Sequence, residues 1–171
     1  TAKSLARKPR ARVIRAAKIG TASEAIGELT PNCEIYVLTF GQFSLIDALC
    51  AIIRQTGPAH ITLATWTAAS ADLTRAKNLL TTSDILSMRF IVDRSFLTRV
   101  PQYCADMRRM FGDDCIRTAR THAKFALIHN DNWQLVVRTS MNLNYNPRLE
   151  NIEISEGPEF FGFMATVADD L

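Results

Sequence analysis

Thr121-His122-Ala123-Lys124 sets an imidazole and an ammonium two residues apart, just ahead of the apolar stretch Phe125–Ile128. Extended backbone sends side chains i and i+2 to the same side, so a strand starting here presents His122 and Lys124 together. Neutral imidazole is a competent nucleophile near pH 7, and an ammonium can neutralise anionic oxygen. Lys is almost never buried without a partner, which argues against a core role for the pair. Further along, Ser140 and Asn142 are again two apart, and so are Asn151 and Glu153. Three neighbouring strand ends thus offer His with Lys, Ser with Asn, and Asn with Glu. Polar side chains converging at strand ends are what a phosphate-handling site needs. The plainer reading is a polar loop region of turn formers, with Asn144, Asn146 and Pro147 between the clusters.

Such groups need a sheet to hold them. Glu34–Phe40 is β-branched and aromatic, as a buried strand is, and Gly41 ends it. Ser44 with Asp47 forms a capping box that opens a helix from Leu45 to about Arg54, and Gly57-Pro58 breaks the chain. His60–Thr65 returns as a strand. Ser70 caps a helix over Ala71 to about Leu80, and Met88–Val92 is a third strand, ending at Asp93. Pro101 fits the first turn of a helix running to Phe111, with Gly112 as its stop. Cys115–Thr118, Phe125–His129, Gln134–Arg138 and Asn151–Ile154 then read as short strands. Asn130-Asp131-Asn132 turns the middle two into a hairpin, and Glu159–Leu171 is a closing helix behind Pro158. The predicted class is α/β: a mixed β-sheet flanked by helices on both faces.

The chain has 171 residues, enough for one domain with a real core. No apolar run approaches the roughly 18 residues that span a bilayer, and no apolar segment follows the basic start as in a signal peptide. The net charge of +3 is uneven. Lys3, Arg7, Lys8, Arg10, Arg12, Arg15 and Lys18 all precede the first acid, Glu24. Removing these seven from 20 leaves 13 basic against 17 acidic residues, a balance of −4. Residues 1–22 therefore read as a basic arm, helical toward Gly20, and residues 23–171 as the domain. These seven cations suit nucleic acid, because each cation near a phosphate releases condensed counterions. The alternative is a solvated tail or a basic face that meets acids of its own protein. Cys33, Cys50, Cys104 and Cys115 form no C-x-x-C pair, which speaks against zinc and for free thiols in a reducing compartment. The expected location is the cytoplasm.

The joint pattern resembles the phospholipase D superfamily, whose motif runs H-x-K-x4-D, then G-S-x-N, then a Glu after a short gap. Here it reads His122-x-Lys124, Thr139-Ser140-x-Asn142 and Glu153, over about residues 121–154. Two positions depart: the motif's Asp falls at His129, and its Gly at Thr139. The resemblance implies a phospholipase D-like fold and a metal-independent phosphodiesterase with no cofactor, acting through a phosphohistidine on His122. A second imidazole protonates the leaving oxygen, Lys124 and Asn142 hold the non-bridging oxygens, Glu153 orients the His122 ring and Ser140 supports the network. With one H-x-K per chain, the resemblance further implies a homodimer whose site is shared about a two-fold axis. The single motif and the basic arm point to a nuclease, with DNA ahead of RNA and no membrane partner. The alternatives are a catalytically degenerate nucleic-acid binder of the same fold, or a lipid phosphodiesterase.

Overall fold

A computed structural model describes residues 3–5 and 20–171, and residues 13–17 as backbone. The first half alternates strand and helix: β1 Val13–Ala17, α1 Ala22–Ile26, β2 Glu34–Thr39, α2 Leu45–Thr56, β3 Ala59–Thr65, α3 Ser70–Thr81 and β4 Ile85–Asp93. Two helices follow, α4 Arg94–Arg99 and α5 Pro101–Phe111, then a single 3-10 turn, Asp113–Cys115. The second half is β5 Ile116–Ala119, β6 Phe125–His129, β7 Gln134–Thr139, β8 Glu150–Glu156 and α6 Pro158–Asp169. Among the described residues the strands form one mixed sheet in the order β1-β2-β8-β7-β6-β3-β4-β5.

Local chemistry explains most boundaries. Ser44 and Asp47 form the expected reciprocal cap of α2, and Gly57 closes it at φ 75°. Pro101 opens α5, and Gly112 stops it. Asn130 Oδ1 accepts from the N–H groups of Asn132 and Trp133, both at 3.0 Å, which fixes the β6–β7 turn. Ser70 is not a cap: it is the first helical residue, and Ala69 precedes it with no side-chain cap bond. The helix α4 was unexpected. Its cap is Asp93, whose carboxylate accepts from Ser95 N–H at 2.9 Å.

The expected arm also needs correction. Residues 13–17 are not helical but pair parallel to β2, from Val13 opposite Ile35 to Ala17 opposite Thr39. The sheet therefore begins inside the segment read as an arm. The β-branched pair Val13-Ile14 suits an edge strand, and the stretch containing α1 carries the chain back to β2 as a parallel crossover must. Arg7, Lys8, Arg10, Arg12 and Lys18 lie outside the described residues, and Arg15 is described only as backbone of β1. Lys3 pairs with Asp170 just beyond α6, so this cation meets an acid of its own chain.

Strand residues alternate between two apolar clusters. Ile61, Leu63, Phe90, Val92, Ala126 and Ile128 pack with Ile26, Leu49, Leu73 and Met107 of α1, α2, α3 and α5. The intervening Ala64, Ile91, Phe125, Leu127 and Val136 meet Phe160, Phe161, Met164 and Ala168 of α6. All four cysteines are free thiols. Burial pushes each of them up from the ordinary thiol range, which makes them poor nucleophiles.

Candidate functional site

The pairing register brings one set of strand ends to a single edge. Thr39 of β2 faces Glu150 of β8, Thr139 of β7 faces Ile152 of β8, and Arg138 faces Phe125 of β6. Phe125 opposes Ala64 of β3, Thr65 opposes Val92 of β4, and Asp93 opposes Ala119 of β5. The carboxyl ends of β2, β3, β4, β5 and β7 thus meet the amino ends of β6 and β8. In open α/β sheets, ligands bind at the carboxyl ends of the parallel strands.

His122 and Lys124 sit on this edge, one segment before β6 rather than within it. Strand alternation therefore does not govern them, a correction to the sequence reading. Lys124 Nζ instead donates back to the His122 carbonyl at 3.2 Å. Thr121 Oγ1 accepts from Ala123 N–H at 3.0 Å, which tightens the segment further. Its anchor is Asp93, whose other carboxylate oxygen accepts from Thr121 N–H at 3.1 Å. The Ser95 hydroxyl at 2.6 Å, then the Ser95 and Thr121 N–H groups, hold the Asp93 carboxyl below the usual range. The His122 ring is exposed and lies 5.4 Å from the Trp66 ring at the end of β3. Arg99 stacks on Trp66, 4.1 Å from its ring centre, and donates to the Trp66 carbonyl at 3.1 Å.

Asn142 belongs to the same assembly. Its Oδ1 accepts from Trp66 N–H at 3.2 Å, which leaves its amide N–H groups without a partner among the described residues. Ser140 follows β7, and its hydroxyl donates to Glu150 while accepting from Asn151 N–H at 3.0 Å. Lys124, Arg138, Ser140, Glu153 and Met164 line a pocket of about 400 Å³ at the same edge.

Glu153 departs from its expected role. It is ion-paired with Arg138, directly across the β7–β8 ladder, and no hydrogen bond among the described residues joins it to His122. The carboxylate at the strand end is Glu150, held by Ser140 and by Asn146 at 3.4 Å. Glu150 is the first residue after the polar loop, three residues before Glu153. Trp66, Asp93, Arg99 and Arg138 were also missed, since each lies far from the motif in sequence and reaches it only through the sheet register.

His129, where the resemblance expects Asp, lies at the opposite end of β6. It pairs across the ladder with His60, and their rings stack at 5.0 Å, with Phe161 at 5.3 Å. The four strand steps of β6 at about 3.3 Å each put roughly 13 Å between Phe125, just after His122 and Lys124, and this pair. Burial, then the neighbouring His60, hold His129 below the ordinary imidazole range. Between that value and the unfolded one of about 6.5, the unfolded chain binds more protons. Stability present above about pH 6.5 is therefore lost as pH falls through the folded value. Thermal melting against pH checks this: the acid-side fall in Tm is expected to be shallower in His129→Phe, and parallel curves would refute it.

No protein-family model matches the chain, and no curated protein matches it. The fold is shared with a solved enzyme. It is similar to part of the polyphosphate kinase of Porphyromonas gingivalis, with a TM-score of 0.57 and 14% sequence identity. The match covers 81% of this chain and 26% of the kinase, so the chain spans about a quarter of that enzyme's length. At this identity the likeness is one of fold alone: an α/β mixed sheet. Among the described residues no helix is long and apolar enough to cross a membrane.

Proposed function

We propose that the chain is a phospholipase D-type phosphodiesterase that cleaves nucleic acid through a phosphohistidine on His122, in a site shared by two copies. The observation that carries this reading is the distribution of the three histidines. His122 alone stands beside Lys124 at the carboxyl edge of the sheet, while His60 and His129 are spent on one another at the far end. The similar fold of an enzyme named polyphosphate kinase lends the architecture a link to phosphoryl chemistry. In the first step a His122 ring nitrogen attacks phosphorus, the P–N bond forms, and the P–O bond to the leaving alcohol breaks. The second imidazole protonates that oxygen, then takes a proton from the water that hydrolyses the P–N bond. Lys124 and the Asn142 amide hold the non-bridging oxygens. Glu150, through Ser140, replaces Glu153 as the carboxylate that braces the edge, and Glu153 sets Arg138 in the adjoining pocket. The His129 departure alters packing far from this edge, so it leaves the proposed chemistry intact.

Two experiments test the reading. Hydrolysis of DNA and RNA is expected to persist in EDTA, because imidazole and ammonium carry the chemistry. Among the described residues no three His, Cys, Asp or Glu converge as ligands. A phosphohistidine trapped by denaturation at alkaline pH, where its acid-labile P–N bond survives, is expected on His122, and strict dependence on a divalent ion would overturn the mechanism.

The second experiment concerns the dimer. After verified subunit exchange with an equal amount of His122→Ala chains, about one quarter of random pairs keep both histidines, by the symmetry of a two-fold pair. Activity is expected to fall toward that fraction. Activity at about one half, the value for independent monomers, would show a self-sufficient chain.

A further inference from the structure

Resting on the nuclease reading of this edge, we infer that its substrate is single-stranded nucleic acid. The phosphates follow Arg120, Lys124 and Arg148, and a base stacks on Tyr145. The β7–β8 loop is a strap laid along the strand ends. Leu143 N–H donates to the Thr67 carbonyl at 3.2 Å, and Ala69 N–H to the Leu143 carbonyl at 2.8 Å, which ties the loop to the end of β3. At its other end the Tyr145 hydroxyl donates to the Gly41 carbonyl at 3.0 Å, just beyond β2. Gly41 has φ 86°, and a Cβ there would lie 2.6 Å from Pro147 Cα, so the two loops are in close contact. The strap crosses four strand spacings of about 4.8 Å, on the order of 20 Å, room for several nucleotides.

What the strap presents is aromatic and cationic. Phe40, Tyr145 and Leu149 are 43%, 59% and 60% exposed, and all three belong to these two touching loops. Tyr145 is pinned at its hydroxyl and open on its ring, so a base can stack there without first ordering the side chain. Residues 119–124 and 139–149 contain Arg120, Lys124 and Arg148 and no carboxylate. At the other end of the strap Trp66 packs against the His122 ring and under the Arg99 guanidinium, which adds a further cation beside the proposed nucleophile. A duplex keeps its bases stacked inside and offers such rings little, whereas a single strand offers a π-face at every nucleotide. A lipid surface would also take exposed aromatics and cations. Asn142, Asn144 and Asn146 alternate through the same loop, however, and amides carried into acyl chains lose their hydrogen bonds.

Binding is measured in the His122→Ala protein, which keeps the strap and holds substrate uncut, by anisotropy of labelled single-stranded and duplex oligonucleotides at one salt concentration. Single strands are expected to bind about tenfold or more tightly than duplex of equal length. Tyr145→Leu keeps the bulk without the π-face, and is expected to weaken single-strand binding about five- to one-hundredfold, while Tyr145→Phe keeps the π-face, loses only the pin and is expected to bind more tightly than Tyr145→Leu. Equal affinity for both forms, or a Tyr145→Leu protein that binds as its parent does, overturns the inference. Co-sedimentation with vesicles of phosphatidylcholine and phosphatidylglycerol that survives Tyr145→Leu and is lost in Tyr145→Ser would assign the strap to a lipid surface instead. Cleavage by the wild-type chain separates the two readings. Single strands bound tightly but never cut would remove the nuclease and leave the strap. Both forms cut alike, with Tyr145→Leu unaffected, would remove the strap's role and leave the nuclease.

Discussion

His122→Ala is expected to abolish turnover and leave the fold intact. The side chain is exposed, and its recorded ring contact is the Trp66 face, so its removal opens no cavity in either apolar cluster. Exposed substitutions of this kind usually change stability by less than about 0.5 kcal/mol. Removing a covalent nucleophile costs on the order of a millionfold in kcat in well-studied hydrolases. No other histidine can take its place. His60 and His129 are at the far end of the sheet, beyond the roughly 13 Å length of β6, and every thiol is pushed up by burial. The measurement is multiple-turnover hydrolysis of a nucleic-acid substrate beside a thermal melt. A well-folded His122→Ala protein that still turns over at more than about a hundredth of the wild-type rate, far above the nucleophile-loss scale, would refute the assignment.

Which parts of this site the sequence announces follows from where the determining chemistry lies. The caps of α2 and α5 and the Asn130 turn are legible because each is settled within four or five residues by hydrogen bonds the backbone needs locally. Likewise the hairpin β6–β7 carries His122, Lys124, Ser140 and Asn142 to one edge, since its register depends on that same turn. The failures have a common cause in long-range pairing. Basic residues around Val13-Ile14 suggest a solvated arm, and only the open edge of β2 turns them into a strand. Asp93 reads as a strand end, but it also caps α4 and holds Thr121, 28 residues on. The motif spacing selects Glu153 and is silent on Glu150. The ladder separates them, because Arg138 sits directly opposite Glu153 while Glu150 meets the end of β2.

Lys124→Ala is expected to lower kcat/KM by about a hundred- to a thousandfold, the scale of losing one donor that meets developing charge, or about 3–4 kcal/mol. The ammonium donates to the His122 carbonyl and lines the pocket with Arg138 and Glu153. It is therefore tethered to the residue it assists, which limits the reorganisation needed when phosphate arrives. A phosphodiester carries its negative charge before and during attack, so some of the loss falls on KM. The share that grows in the transition state falls on kcat. Lys124→Arg keeps the charge but replaces a compact ammonium by a planar fork, and its recovery is expected to be partial. The competing account is structural: Nζ satisfies the His122 carbonyl and does nothing more. That account predicts a lowered Tm, a displaced His122 and equal rates for the Ala and Arg variants. Partial rescue by Arg at an unchanged Tm supports phosphate contact, whereas Ala and Arg variants equally slow would assign Lys124 to holding the segment alone.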